Sequence, residues 1–389
     1  MEKEKPENKM KALKILFVIT DLGKGGAERF LLDLTSQLET YPHIDYRIAS
    51  LYNMVQYEEF KNNDKIHFLD FATFSLKTKN YNATYSDLLN DFQPDIIHTN
   101  RFLAEFITSY DIRRSIKYVC HCHDNMVQFK RFSLSSLVDK VTLLNSIEYN
   151  YLIRRKYRKV PTYFIANSQH TYSYFQDMLP ANQKKNIRLI PLGFNYANFF
   201  VERQYKQKKK KIKLLNVGSY QVKKNQVFLL DIAEELKKLG VEFEINLIGD
   251  GPEFQHIYNE IRNRKLGDVV FQHGLQSNVH EWYNDSDLYI HTAYYEPFGL
   301  VLLEAMASGL PIICLDGKGN RDIIKNDYNG YMFFEQEPKA FADKIVEYTQ
   351  NEELYQLISV QAQEYAKRYA LPDKTRELVD FYYSIIDSE

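Results

Sequence analysis

Short β-branched or aromatic runs alternate with helix-period segments along the whole chain, and this alternation stops once and begins again. In the first half, KILFVIT (14–20), YRIASL (46–51), KIHFLD (65–70), DIIHT (95–99), KYVCHC (117–122), TYFIAN (162–167) and NIRLIP (186–191) read as strands. Amphipathic stretches lie between most of them, such as AERFLLDLTSQLE (27–39), with Phe30, Leu31, Leu34 and Leu38 on one face. Strand–helix–strand alternation predicts a parallel sheet covered by helices on both sides, since parallel neighbours need a crossover. The basic run RQYKQKKKKIK (203–213) reads as an exposed linker. Six further strands follow, from KLLNVG (213–218) to GYMFF (330–334). The helix QVFLLDIAEELKKLG (226–240) should end on Gly240. From about Phe341 to Ile386 the chain reads as helical, broken near Pro372. A length of 389 residues is too long for one ordinary core. The predicted fold class is α/β, with two Rossmann-like parallel-sheet domains in tandem.

Composition excludes several functions. Lys and Arg total 50 against 51 Asp and Glu, so bulk electrostatic coating of nucleic acid is not expected. Three cysteines, Cys120, Cys122 and Cys314, do not make a disulfide framework and favour a reducing compartment. The first residues are too acidic for a secretory signal, and no apolar run approaches about 18 residues. A soluble, cytoplasmic protein is the expectation.

Functional residues cluster where strands run into helices. The segment YYEPFGLVLLEAMASGLP (294–311) passes from a strand through Pro297 and Gly299 into a helix. The free N–H groups of that helix's first turn, near Gly299 and Leu300, suit an anion. Glu296 lies just before the helix and Glu304 about one turn inside it. A carboxylate at position 304 would take ribose hydroxyls without repelling a phosphate. DLGKGGAERFLLDLT (21–35) places Gly25 and Gly26 in a turn that opens a helix, a phosphate cradle in type. It lacks the G-x-G-x-x-G spacing of a dinucleotide site. NVGSYQVKKNQVFLL (216–230) sets Lys223 and Lys224 before a helix, where cations are not favoured by the dipole. Positioned cations there would stabilise charge developing on a leaving diphosphate.

The run E-P-F-G-L-V-L-L-E-A-M-A-S-G-L-P resembles the signature of family-four retaining glycosyltransferases of the GT-B fold. The resemblance spans nearly the whole chain in family order, and implies two facing domains with the active site in the cleft between them. It implies that Glu296 faces the donor sugar, that Phe298, Gly299 and Leu300 hold sugar and diphosphate, and that Glu304 binds ribose. Gly25 or Gly26 would contact the donor diphosphate or the acceptor. Ser219, Lys223 and Lys224 fall in the diphosphate loop, where the family carries an Arg with its Lys and this chain has Lys–Lys. A lysine is a point charge rather than a bidentate fork. Gly249 and Gly251 of IGDGPEF (248–254), and Leu275 of FQHGLQSNV (271–279), would line the nucleotide.

In YVCHCHDN (118–125), alternation puts Cys120 and Cys122 on one face of the strand and His121 and His123 on the other, which splits any zinc set. The family has an active-site His beyond this strand. His123 matches it as an orienting group for sugar hydroxyls, and His121 is expected to be a buried structural residue. Asp285-Ser286-Asp287 spells D-x-D but sits at a strand entry, so no required metal is expected. Arg154, Arg155, Lys156, Arg158 and Lys159 lie among aromatic and aliphatic residues, a mix that suits either a solvated helix face or an anionic membrane surface.

The expected organisation is a tail at 1–12, an acceptor-side domain at 13–203, a donor domain at 204–365, and a C-terminal helix at 366–389 returning to the first domain. The resemblance implies a retaining, metal-independent, hexosyltransferase-type enzyme with no cofactor. Its donor would be a nucleotide-sugar, a UDP-sugar first, and its acceptor the hydroxyl of a glycan, a lipid-linked glycan or a protein. Glu296, His123 and Lys224 would be the catalytic residues. The alternatives are a non-catalytic partner subunit on the same fold and a sugar-nucleotide epimerase.

Overall fold

The computed structural model describes residues 11–69, 83–126, 143, 148–203 and 211–387. They group into two compact units. Unit 1 takes the described residues up to Asn167, Thr171–Ile190 and those from Thr375 onward; unit 2 takes Ser168–His170 and Pro191–Lys374.

Unit 1 is built on strands β1 (Leu13–Ile19), β2 (Ile44–Ser50), β3 (Ile66–Phe68), β4 (Ile96–Asn100), β5 (Lys117–Cys122), β6 (Thr162–Ala166) and β7 (Ile187–Leu189). They form one sheet in the order β3-β2-β1-β4-β5-β6-β7, parallel throughout. β1 is central: every residue but Lys14 is buried, as a strand covered on both faces must be. Helix α1 (Gly26–Leu38) follows β1, α2 (Ala83–Phe92) precedes β4, and α3 (Phe102–Ile107) follows it. Two apolar clusters form the core. Leu16, Val18, Leu89 and Ile97 belong to one, and Phe106, Cys120, Cys122 and Phe164 to the other. The alternation expected in β5 is present: the two cysteines enter that second cluster, while His121 and His123 stack on each other at 4.2 Å.

Unit 2 has strands β8 (Ile212–Val217), β9 (Phe243–Ile248), β10 (Val270–Gln272), β11 (Leu288–His291), β12 (Ile312–Leu315) and β13 (Tyr331–Phe333). Their order is β10-β9-β8-β11-β12-β13, again all parallel. Helix α4 (Val227–Lys238) covers this sheet with Phe228, Leu229, Ile232 and Leu236. Gly240 ends it at φ +67, with Val241 N donating to Leu236 O at 3.1 Å, the backbone reversal that glycine allows. Helix α5 (Leu300–Ala307) follows β11.

The helical tail is three helices, α6 (Pro338–Gln350), α7 (Glu352–Lys367) and α8 (Leu371–Asp387). Asn351 separates the first two, and its side chain accepts from Leu354 N at 3.0 Å as an N-cap. The second break falls at Arg368–Ala370. Pro372 lies inside the first turn of α8, where a missing N–H costs nothing.

Both sheets change winding direction once, between β1 and β4 and between β8 and β11. In open α/β sheets such switch points leave a crevice beyond the carboxyl ends of the strands, where ligands bind. The loops after β1, β4, β8 and β11 therefore border these crevices.

Among the described residues no helix is long and apolar enough to cross a membrane. Residues 1–10 of the tail expected at 1–12 and most of the linker lie outside the described residues; Lys211 at the linker's end pairs with Glu244 at 2.8 Å. The basic cluster at 154–159 is not one exposed face. Lys156 is fully buried and pairs with the equally buried Glu105 at 2.7 Å, donating also to Thr108. One side of this short helix packs inward, which the charge pattern alone did not reveal.

Candidate active site

In unit 2 the loops after β8 and β11 are tied together by backbone bonds. Tyr294 N donates to Lys223 O at 3.1 Å and Thr292 Oγ1 to Lys224 O at 3.1 Å. These tethers bring Lys224 to Glu296, and the ammonium pairs with Oε2 of the carboxylate. His291, the last residue of β11 and 2% exposed, places Nε2 at 3.2 Å from the same oxygen. Burial raises the Glu296 carboxyl, but Lys224 and His291 outweigh it and hold the group well below the usual carboxylate range. Burial also pushes the His291 imidazole down, against the pull of Glu296. Lys223 points elsewhere, with its ammonium 5.6 Å above the Tyr295 ring.

The Glu296 backbone is held from its other side by the turn after β12. Glu296 N donates to Gly317 O at 2.7 Å, and Gly319 N donates to Glu296 O at 3.0 Å. Gly299 caps α5 at φ +108, a conformation that strains any other L-residue, and Leu300 opens the helix. Phe298 is buried, its ring 5.9 Å from Tyr369, so only its backbone is available to a ligand. Glu304 accepts from the buried Tyr283 hydroxyl at 3.0 Å. Tyr283, Tyr289 and His291 form a ring series, with centroids 5.7 and 6.1 Å apart, between the two glutamates.

The Gly249–Gly251 loop lies against the turn after β8. A Cβ on Gly249 would stand 2.0 Å from Gly218 O, and one on Gly251 would stand 2.5 Å from Tyr220 O. Ser219, in the same turn, accepts at its carbonyl from Gln226 Nε2 at 3.1 Å. Leu275 is half exposed, just past Gly274, whose carbonyl accepts from Gly249 N at 2.9 Å. The D-x-D acids have structural partners: Asp287 accepts from Lys213 N at 2.8 Å, and Asp285 pairs with Lys213 Nζ at 2.5 Å.

In unit 1 the turn after β1 makes Gly25 the N-cap of α1 and Gly26 its first residue. A Cβ on Gly25 would meet Glu28 Oε2 at 2.2 Å, so this glycine makes room for the Glu28 carboxylate. His123 is buried, with Nε2 at 2.8 Å from Asn100 Oδ1 and its ring edge-on to Phe30. Burial first, then the neighbouring His121, pushes His123 well below its ordinary value, so it is a neutral imidazole near pH 7. His121 is pushed down to about 3 by burial. Behind it, His98 bridges His121 at 3.2 Å and the Tyr382 hydroxyl at 2.5 Å.

Sequence reasoning named Glu296, Lys224 and Glu304 but missed His291, Tyr283, Asn100, Arg101 and the Gly317–Gly319 turn. His291 had one legible signal, its place at the carboxyl end of a strand beside the switch point. Tyr283 had none, because it reaches Glu304 only through the packing of the preceding helix.

Two parallel sheets of this topology, one in each unit, make a GT-B architecture. The solved structure of Anabaena HepE in complex with UDP and glucose shares it, with a TM-score of 0.75, 18% identity, and coverage of 96% of this chain and 100% of that one. Residues 24–197 match Glycosyltransferase Family 4 and residues 199–365 match Glycosyl transferases group 1. The chain belongs to the group 1, family 4 glycosyltransferases. Among curated relatives it is similar to the N-acetyl-alpha-D-glucosaminyl L-malate synthase of Bacillus anthracis, 35% identical over 136 residues, which are 34% of this chain and 36% of that protein. It is also similar to the GtfA subunit of the UDP-N-acetylglucosamine–peptide N-acetylglucosaminyltransferase of Streptococcus agalactiae. That match is 30% identical over 168 residues, 41% of this chain and 32% of that protein. The chain thus spans about a third of the length of these relatives.

Proposed function

We propose that the protein transfers a sugar, with retention of configuration, from a UDP-sugar to an acceptor hydroxyl in the assembly of a cell-surface or protein glycan. The observation that carries this reading is the Lys224–Glu296–His291 cluster at the β8/β11 switch point, beside the N-terminus of α5. A carboxylate kept ionised there accepts hydrogen bonds from sugar hydroxyls. Lys224, with Lys223 and the free amides at Gly299 and Leu300, stabilises the charge that grows on the departing diphosphate. In this reading Glu304, oriented by Tyr283, holds the ribose, and Ser219, Gly249, Gly251 and Leu275 line the nucleotide. Neutral His123, with Gly25 and Gly26, orients hydroxyls on the acceptor side. No protein nucleophile is assigned: the leaving diphosphate takes the acceptor proton, and 13–203 and 204–365 serve acceptor and donor. The names of similar proteins support UDP: HepE is solved with UDP and glucose, and the GtfA subunit's enzyme carries UDP-N-acetylglucosamine in its name.

The test is thermal unfolding against UDP, GDP, ADP and their common sugar conjugates, with EDTA present. A ligand at about 100 times its Kd adds roughly 2.7 kcal/mol. The expected result is a rise with the UDP series alone that is lost in Glu304→Ala. No rise with any nucleotide, from folded protein, would sink an independent transferase and favour a partner subunit.

A further inference from the structure

The β1/β4 switch point of unit 1 carries a feature that the donor reading does not use. Arg101 follows β4 with φ +75 and ψ 164, a backbone region that is essentially glycine-only and costs on the order of 1–3 kcal/mol for other residues. Its guanidinium lies over the Gly25 turn: Nη2 would be 3.6 Å from a Cβ on Gly25. It reaches both oxygens of Glu28, Nη1 to Oε1 at 2.9 Å and Nη2 to Oε2 at 3.3 Å. The first approach is an ion pair without hydrogen-bond alignment, since Oε1 has no hydrogen-bond donor.

A counter-ion for Glu28 would explain the contact but not its form. The Glu28 side chain is 2% exposed and that of Arg101 is 44% exposed. A guanidinium has five N–H donors, and Glu28 does not use them all. The neighbours also have unused capacity. Asn100 is 1% exposed with Nδ2 unpartnered, and His123 is 9% exposed with Nδ1 unpartnered. Buried polar atoms without partners are uncommon and call for an explanation, such as a catalytic role or a water or ion that completes the bonding. Strain, a half-exposed cation and two orphaned buried atoms thus meet at the carboxyl ends of β1, β4 and β5, beside the first amides of α1.

We infer that Arg101 is a specificity-determining residue which binds an oxyanion, a carboxylate or phosphate, carried by the acceptor. That the oxyanion belongs to an acceptor rests on the transferase reading; that Arg101 binds an anion does not. Unit 2 already supplies Lys223, Lys224 and the α5 amides for the donor diphosphate, which leaves the unit 1 guanidinium for the other substrate.

The test uses the full chain and matched probes: glycerol 3-phosphate against glycerol, and methyl glucuronide against methyl glucoside, with UDP titrated in parallel by calorimetry. The wild type should bind at least one anionic probe about tenfold more tightly than its neutral partner. Arg101→Gln should erase that preference, Arg101→Lys should keep part of it, and UDP affinity should stay within about twofold. Because Arg101→Gln leaves Glu28 without its counter-ion, the double variant Glu28→Gln/Arg101→Gln is run alongside and should also lack the preference. Equal binding of anionic and neutral probes by the wild type, or a preference that survives in the double variant, overturns the proposal. UDP affinity falling together with anion affinity overturns the acceptor assignment and gives Arg101 to the donor diphosphate. Failure of the wild type to bind UDP, with an Arg101-dependent anion preference intact, would remove the transferase reading and leave the anion site standing.

Discussion

The two switch points solve the same problem differently. At β8/β11 a buried carboxylate, Glu296, faces a cation that is itself mostly buried, the Lys224 side chain being 16% exposed, with His291 behind. At β1/β4 a buried carboxylate, Glu28, faces a cation half in water, on a strained backbone, among orphaned polar atoms. The electrostatic outcome differs in sign. Glu296 is held ionised in spite of burial, whereas at Glu28 burial outweighs Arg101 and the carboxyl rises above its ordinary value. The first cluster keeps its cation largely out of water, although neither ring nitrogen of His291 has a hydrogen-bond partner. The second has donors to spare.

The strongest test of this contrast removes each cation in turn. Lys224→Ala leaves a buried carboxylate unpaired and should cost about 3–5 kcal/mol in denaturant unfolding. Arg101→Ala removes a solvent-screened partner and leaves the backbone strain unchanged, since alanine keeps the Cβ, so its cost should stay within about 1 kcal/mol. Equal losses would break the comparison.

Gly299→Ala should cost about 1–3 kcal/mol, since φ is +108 there and the new Cβ would stand 2.9 Å from Leu302 Cδ1. Gly25→Ala, at an extended φ, is opposed only by the Glu28 side chain, which can turn away at smaller cost.

The pH dependence should run in opposite directions. The folded Glu296 pKa is depressed, so its contribution is present above the ordinary value of about 4.3 and fades as pH falls below it. The folded Glu28 pKa is raised, so its contribution is present below about 4.3 and is lost as pH rises through the folded value. Glu296→Gln should therefore lower Tm at pH 7 by more than at pH 4. Glu28→Gln should raise Tm at pH 7 and change it little at pH 4. Melting curves across this range check both, and parallel shifts would refute the contrast.

The last effect, on ligand binding and not on stability, is at the edge of the donor cluster. Tyr283→Phe removes one hydrogen bond to a carboxylate and should weaken UDP binding by about 1.5–3 kcal/mol at most, with the overall fold intact. An unchanged UDP affinity would mean that Tyr283 does not orient Glu304 for the nucleotide.

The sequence alone was enough for the two-sheet α/β class, for the glycine that ends α4 and for the facing of Cys120 and His121 across β5. These follow from periodicities of 2 and 3.6 and from local backbone chemistry, which neighbouring residues determine. Glu296, Glu304, Lys224 and Gly299 could be named because their motifs are contiguous. The role of Lys156 could not be read from charge, because burial depends on Glu105, 51 residues away. Nor could the ring series joining Glu304 to Glu296, or the turn at Gly317–Gly319 that grips the Glu296 backbone. Whether a buried carboxylate is held ionised or driven towards its neutral form was decided only by the tertiary structure. That balance depends on which cation the packing delivers and how much water it leaves around it.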